Sequence, residues 1–133
     1  NFRAWRALGQ CFAGDYDDAL TEIAMAMRLN PNFPRYYLNL RGRILYSMER
    51  YEEAVEPLER GATSMPKNPS VHLVLAATLV ELNRMKEARA AIEKALAASP
   101  GYKLDEVHFS APYADHRMLE RYLCNLREAG MPE

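Results

Sequence analysis

The sequence predicts an all-α chain, made of three stacked antiparallel helix pairs and closed by a C-terminal helix. Two observations carry this expectation. One pattern of alanine, large apolar residue, small residue and proline recurs three times at a nearly constant period. Beyond residue 102 the period stops, while a helical amphipathic pattern continues.

The three copies are DYDDALTEIAMAMRLNP, RYEEAVEPLERGATSMP and RMKEARAAIEKALAASP. Ala19, Ala54 and Ala88 are followed four residues on by Ile23, Leu58 and Ile92, then by the small residues Ala26, Gly61 and Ala95, then by Pro31, Pro66 and Pro100. Successive copies lie 35 and 34 residues apart. Small residues around a larger apolar one form a stripe that a neighbouring helix can approach closely. Proline cannot continue the hydrogen-bond ladder and stops the helix. The pairs Asp17/Asp18 and Glu52/Glu53 open second helices, where the helix dipole favours negative charge.

The same pattern resembles the tetratricopeptide repeat, whose first helix carries W-x2-L-G-x2-Y and whose second carries A-x3-F and a closing proline. The resemblance implies a right-handed α-solenoid of three such helix pairs plus a C-terminal capping helix. It divides the chain into residues 1–34, 35–68 and 69–102, with 103–133 as the cap. The second copy has Leu38, Arg41, Gly42 and Leu45 at the signature positions, and the third has His72, Leu75, Ala76 and Leu79.

The first helix admits two frames. Trp5, Leu8, Gly9 and Phe12 match the signature if the turn at Ala13, Gly14 and Asp15 is about two residues short. Counting back from Ala19 without a gap places Arg3, Arg6, Ala7 and Gln10 there instead. Two residues rotate a helix by about 200°, so the frames bury nearly opposite faces. Burying two unpaired arginines costs several kcal/mol, whereas burying three large apolar side chains is favourable. The shortened turn is therefore expected, with Trp5, Leu8 and Phe12 in the core and Arg3, Arg6 and Gln10 turned to the concave side.

In the last segment, Leu104, Val107 and Phe109 form a short apolar stretch that ends at Pro112. Asp115 is the expected N-cap of a helix with Leu119, Tyr122, Leu123 and Leu126 on one face, closed by Gly130 and Pro132. Arg117, Glu120, Arg121, Arg127 and Glu128 fall on the opposite face, as a solvated terminal cap requires. NPNFP, RYEEA, PYAD, ERYL and LREAGMPE together make the chain similar to the repeat region that follows class III adenylate/guanylate cyclase domains in some bacterial proteins.

Composition excludes several function classes. The chain has 133 residues, 49% hydrophobic and 26% charged, with a net charge of -1. It is long enough for one core and lacks the basic excess of a nucleic-acid binder, and nothing in it reads as a base-recognition pattern. No apolar run reaches the length of a membrane span, so membrane insertion is not expected. No leader pattern opens the chain, and the missing initiator Met suggests an excerpt of a longer protein. Cys11 and Cys124 read as small core residues of a reducing, cytoplasmic compartment. His72, His108 and His116 fall in different elements and no Ser or Cys has a base at motif spacing, so neither enzyme activity, metal nor cofactor is expected.

Function is then expected in the shape. First helices of stacked pairs line a concave groove suited to a peptide. Its expected binding residues are Arg3, Arg6, Gln10, Tyr36, Asn39, Arg43, Tyr46, Leu73 and Ala77. Arg6, Gln10 and Asn39 resemble part of the carboxylate clamp of chaperone-binding tetratricopeptide domains, although Ser70 stands where that clamp has Lys. The resemblance implies a protein or peptide partner, acidic or carboxylate-bearing, and a regulatory role in a larger bacterial signalling protein. The end helices also offer a surface for a homodimer.

Overall fold

The computed structural model describes residues 2–133, with the side chains of His108 and Phe109 outside the description. The described residues are helical and contain no strand. Three helix pairs follow one another: α1 (Phe2–Ala13) with α2 (Tyr16–Leu29), α3 (Tyr36–Ser47) with α4 (Tyr51–Ser64), and α5 (Pro69–Glu81) with α6 (Met85–Ala98). A 3-10 turn (Leu104–Glu106) leads into the short α7 (Val107–Ser110), and α8 (His116–Glu128) ends the fold.

The repeat stripe packs as its spacing requires. Ala19, Ile23 and Ala26, Ala54, Leu58 and Gly61, and Ala88, Ile92 and Ala95 are all buried. Each second helix stops two residues before its proline, at Leu29, Ser64 and Ala98. At the repeat-equivalent positions of the first helices stand Ala7, Gly42 and Ala76, all buried, and Gly42 packs directly on Leu58. A Cβ added to Gly42 would overlap the Leu58 side chain, so only glycine fits there.

The elbow after α1 is not shortened. Gly14, Glu49 and Asn83 all adopt positive φ, at 95°, 61° and 60°. The N–H groups of Gly14, Glu49 and Asn83 donate to Cys11, Tyr46 and Val80, and those of the following residues to Gln10, Leu45 and Leu79. This double bond pattern is the Schellman closure, repeated identically in all three pairs. The ungapped frame is therefore the correct one, and α1 buries Ala4, Ala7 and Cys11.

The expected burial fails for Trp5, which is exposed, while Leu8 and Phe12 are half-buried and pack against the core; the reason is identifiable. Burial of two arginines is costly only in a closed interior. In the structure no described element covers that face of the first pair. Arg3 and Arg6 keep side-chain exposures of 44% and 50% and both reach Glu22 of α2, at 3.4 Å. No desolvation penalty arises, and small residues let α1 approach α2 closely.

α8 begins and ends as its residues predict. The Asp115 side chain accepts from the Arg117 N–H at 2.9 Å. Gly130 takes φ 105°, and the N–H groups of Gly130 and Met131 donate to the carbonyls of Arg127 and Leu126. Tyr122 and Leu126 are buried, Leu119 and Leu123 half-buried, and the five charged residues of the opposite face exposed. As the capping helix, α8 packs against α5 and reaches α3 through Tyr46. Cys11 is buried as expected, but Cys124 is exposed. The expected apolar role of Phe109 and any pairing of His108 with His116 fall outside the described residues.

Candidate functional site

The first helices α1, α3 and α5 line the concave side, which divides into an open half and a covered half. The open half is a groove of about 400 Å³. Trp5, Leu8 and Phe12 of α1 form one wall, Tyr36, Asn39, Leu40 and Arg43 of α3 the other, and Ser70 of α5 and Ser110 close its ends. Trp5 is 71% exposed, although a tryptophan normally gains from burial. Asn39 donates through Nδ2 to Ser70 Oγ at 3.3 Å, while its buried Oδ1 has no partner among the described residues.

The covered half holds Tyr46, Leu73 and Ala77, all almost fully buried. Asn125 of α8 donates through Nδ2 to the Tyr46 hydroxyl and to Glu81 Oε2, both at 2.8 Å. The Tyr46 and Tyr122 rings meet with centroids 5.8 Å apart. Arg121 pairs with Glu49 at 2.9 Å and donates to the Tyr51 hydroxyl at 3.1 Å, fixing the outer edge of α8.

Arg43 lies at the boundary and is only 4% exposed. Its Nη1 donates to the Tyr113 hydroxyl and its Nη2 to Ser70 Oγ, each at 3.3 Å. Its guanidinium carbon sits 5.3 Å from the Tyr122 ring centroid and 5.5 Å from that of Phe12. Among the described residues no carboxylate forms an ion pair with it. Burial opposes the charge, and the Tyr113 and Tyr122 hydroxyls together with the Tyr113 hydrogen bond more than offset that, so the guanidinium is held protonated. Burial in turn pushes the Tyr122 phenol up to about 12, against the lowering effect of Arg43. A buried cation needs such neutral hydrogen-bonding and aromatic partners when no anion is present.

The expected site residues are thus scattered over three surroundings. Tyr36, Asn39 and Arg43 share the groove. Arg3 and Arg6 stand outside it on Glu22, and Gln10 does not line it either: it is half-buried, its Oε1 without a partner among the described residues. Tyr46, Leu73 and Ala77 lie on the concave side as expected, but α8 has closed over them. The groove residues missed from sequence are Trp5, Leu8, Phe12 and Leu40. The 35-residue period, applied without a gap, was the signal that could have found them: it aligns Trp5 with Leu40 and Leu8 with Arg43.

Nothing in the site is arranged for nucleophilic chemistry. Burial pushes the Cys11 thiol up, and its sulfur lies 3.8 Å from Ser47 Oγ with no base beside it. Among the described residues no group of three His, Cys, Asp or Glu side chains could hold a metal ion. His72 is buried and its Nε2 is 2.8 Å from the Pro66 carbonyl, a structural contact. No helix of the described residues is long and apolar enough to cross a membrane.

The helix-pair geometry and the sequence comparisons agree: the chain carries tetratricopeptide repeats. Two family models described as tetratricopeptide repeat match residues 12–69 and 45–104. The small glutamine-rich tetratricopeptide repeat-containing protein 2 of Mycosarcoma maydis is 32% identical over 77 residues, which is 58% of this chain and 22% of that protein. The chain therefore spans about a fifth of that relative's length. Among solved structures, the type III secretion chaperone SycD of Yersinia enterocolitica, in complex with a peptide of the translocator YopD, superposes with a TM-score of 0.69 at 20% identity, covering 90% of this chain and 88% of SycD. MamA from Desulfovibrio magneticus RS-1 gives 0.69 at 18% identity, covering 96% of this chain and 73% of MamA. At these identities the likeness is one of fold.

Proposed function

We propose that this chain is a non-catalytic protein-interaction module that holds an extended peptide in the open half of its concave groove. The observation that carries the reading is Trp5, an exposed indole that lines one groove with Tyr36, Asn39 and Arg43. Large aromatics left in water beside convergent polar groups mark binding surfaces. That the similarly folded SycD is in complex with a peptide supports the same reading. The preferred ligand carries a carboxylate, because Arg43 is a buried cation with no ion-pair partner among the described residues. In this reading residues 1–102 supply the groove apart from Ser110, and residues 103–133 are the cap that closes its other half.

The similarity to cyclase-associated repeats supports a place for this module in a larger bacterial signalling protein, which the sequence of the parent gene tests directly. The groove reading is tested with an array of acidic peptides, each with a free or an amidated C-terminus. Binding should require the carboxylate, fall at least tenfold in Trp5→Ala, and persist in Arg6→Ala. Equal binding by Trp5→Ala and the unaltered chain would overturn it.

A further inference from the structure

The boundary between the two halves is made by a short non-helical segment, residues 111–115, between α7 and α8. Its last residue, Asp115, caps α8, and the Tyr113 ring meets that of Tyr122 on α8 with centroids 6.3 Å apart; two further attachments hold it to α1 and α3. The Ala114 N–H donates to the Phe12 carbonyl at 2.8 Å, one of the last carbonyls of α1, which the helix itself leaves open. The Tyr113 side chain enters the concave side, where its hydroxyl meets Ser47 Oγ at 2.9 Å and accepts from Arg43 Nη1 at 3.3 Å. The Phe12 and Tyr113 rings meet edge to face, with centroids 5.1 Å apart.

Apart from the Asp115 cap, little of the segment is buried. Pro112, Ala114 and Asp115 are exposed, leaving Ala111 and Tyr113 as its buried residues. α8, in contrast, buries Met118, Tyr122, Asn125 and Leu126 along its length. Residues 111–114 can therefore lift, giving up the Tyr113–Tyr122 ring contact, while α8 stays docked on its Asp115 cap, since local opening follows the number of buried contacts an element must lose. Phe12 and Arg43 also belong to the open groove. A ligand that takes Arg43 Nη1 must displace the Tyr113 hydroxyl from it.

We propose that residues 111–114 are a built-in competitor for the groove, with Tyr113 occupying Arg43 until a peptide ligand takes its place. This rests on the groove reading, and it assigns that groove a regulated occupancy: apparent affinity is reduced by the fraction of molecules with the strap closed. The strap also shows what its seat accepts, an extended segment with an aromatic hydroxyl directed at Arg43 and Ser47.

The test needs no natural partner. A fluorescein-labelled heptapeptide SAPYADH, residues 110–116 of this chain, is titrated by anisotropy into the unaltered protein and into Tyr113→Ala. The peptide should bind Tyr113→Ala at least tenfold more tightly, and its SAPFADH form should bind more weakly. Equal binding by both proteins, or none by a folded Tyr113→Ala, overturns the proposal. Native-state hydrogen exchange covers the case in which that variant does not fold. In the unaltered chain the Ala114 amide should exchange at least tenfold faster than the Met131 amide that closes α8, and Tyr113→Phe should accelerate Ala114 alone. Exchange of both amides at one rate would make the strap part of the core and end the proposal. Failure of either arm leaves the groove reading to Trp5→Ala and external peptides, which fail or succeed independently.

Discussion

The two halves of the concave side are built from the same repeat positions and put to opposite uses. Around α1, Trp5 and Leu8 line the open groove. Two repeats later the aligned positions on α5 are Val74 and Ala77, both fully buried, and beside them Tyr46 of α3 is sealed by Tyr122 and Asn125 of α8. A helical repeat specifies which residues reach the concave face, but not whether that face remains open. That second choice was made by a segment outside the period.

The contrast can be broken from its covered side first. Tyr122→Ala removes a buried ring that touches both Tyr46 and Tyr113. It should cost about 3–5 kcal/mol in urea unfolding. A loss below about 1 kcal/mol would mean that α8 is not part of the core. Gly42→Ala follows, because its methyl group would overlap the fully buried Leu58; about 1–3 kcal/mol should be lost. A neutral or stabilising result would show that α3 and α4 are packed less closely than described. Asp115→Ala removes the cap that starts α8 and should lower stability by about 1 kcal/mol, read as a shift in urea midpoint at unchanged slope.

The open side should respond least. Arg6 makes a half-exposed ion pair at 3.4 Å, so Arg6→Ala should change stability by less than about 1 kcal/mol. It should also leave peptide binding intact, which separates the observed register from the alternative that puts Arg6 in the groove. Loss of binding in Arg6→Ala with normal stability would favour that alternative.

How much of this was legible follows from what each pattern encodes. The second helices were readable because alanine, a large apolar residue and proline act through local rules of packing and termination. The caps of α8 were readable for the same reason. α1 was misread because residue hydrophobicity was weighed as though every face of the helix were enclosed. Trp5 looked like core, while the true contacts were Ala4, Ala7 and Cys11, whose value lies in being small. The covered half was illegible because burial of Tyr46, Leu73 and Ala77 depends on where a distant helix docks, a long-range choice that no local spacing records.

Trp5 is the only tryptophan in the chain, so its fluorescence reports the register of α1 without competition. In the free protein the account predicts red-shifted, water-like emission and efficient quenching by acrylamide, as its 71% exposure requires. Blue-shifted emission shielded from acrylamide would place the indole in the core, restore the shortened elbow, and contradict the groove built on this register.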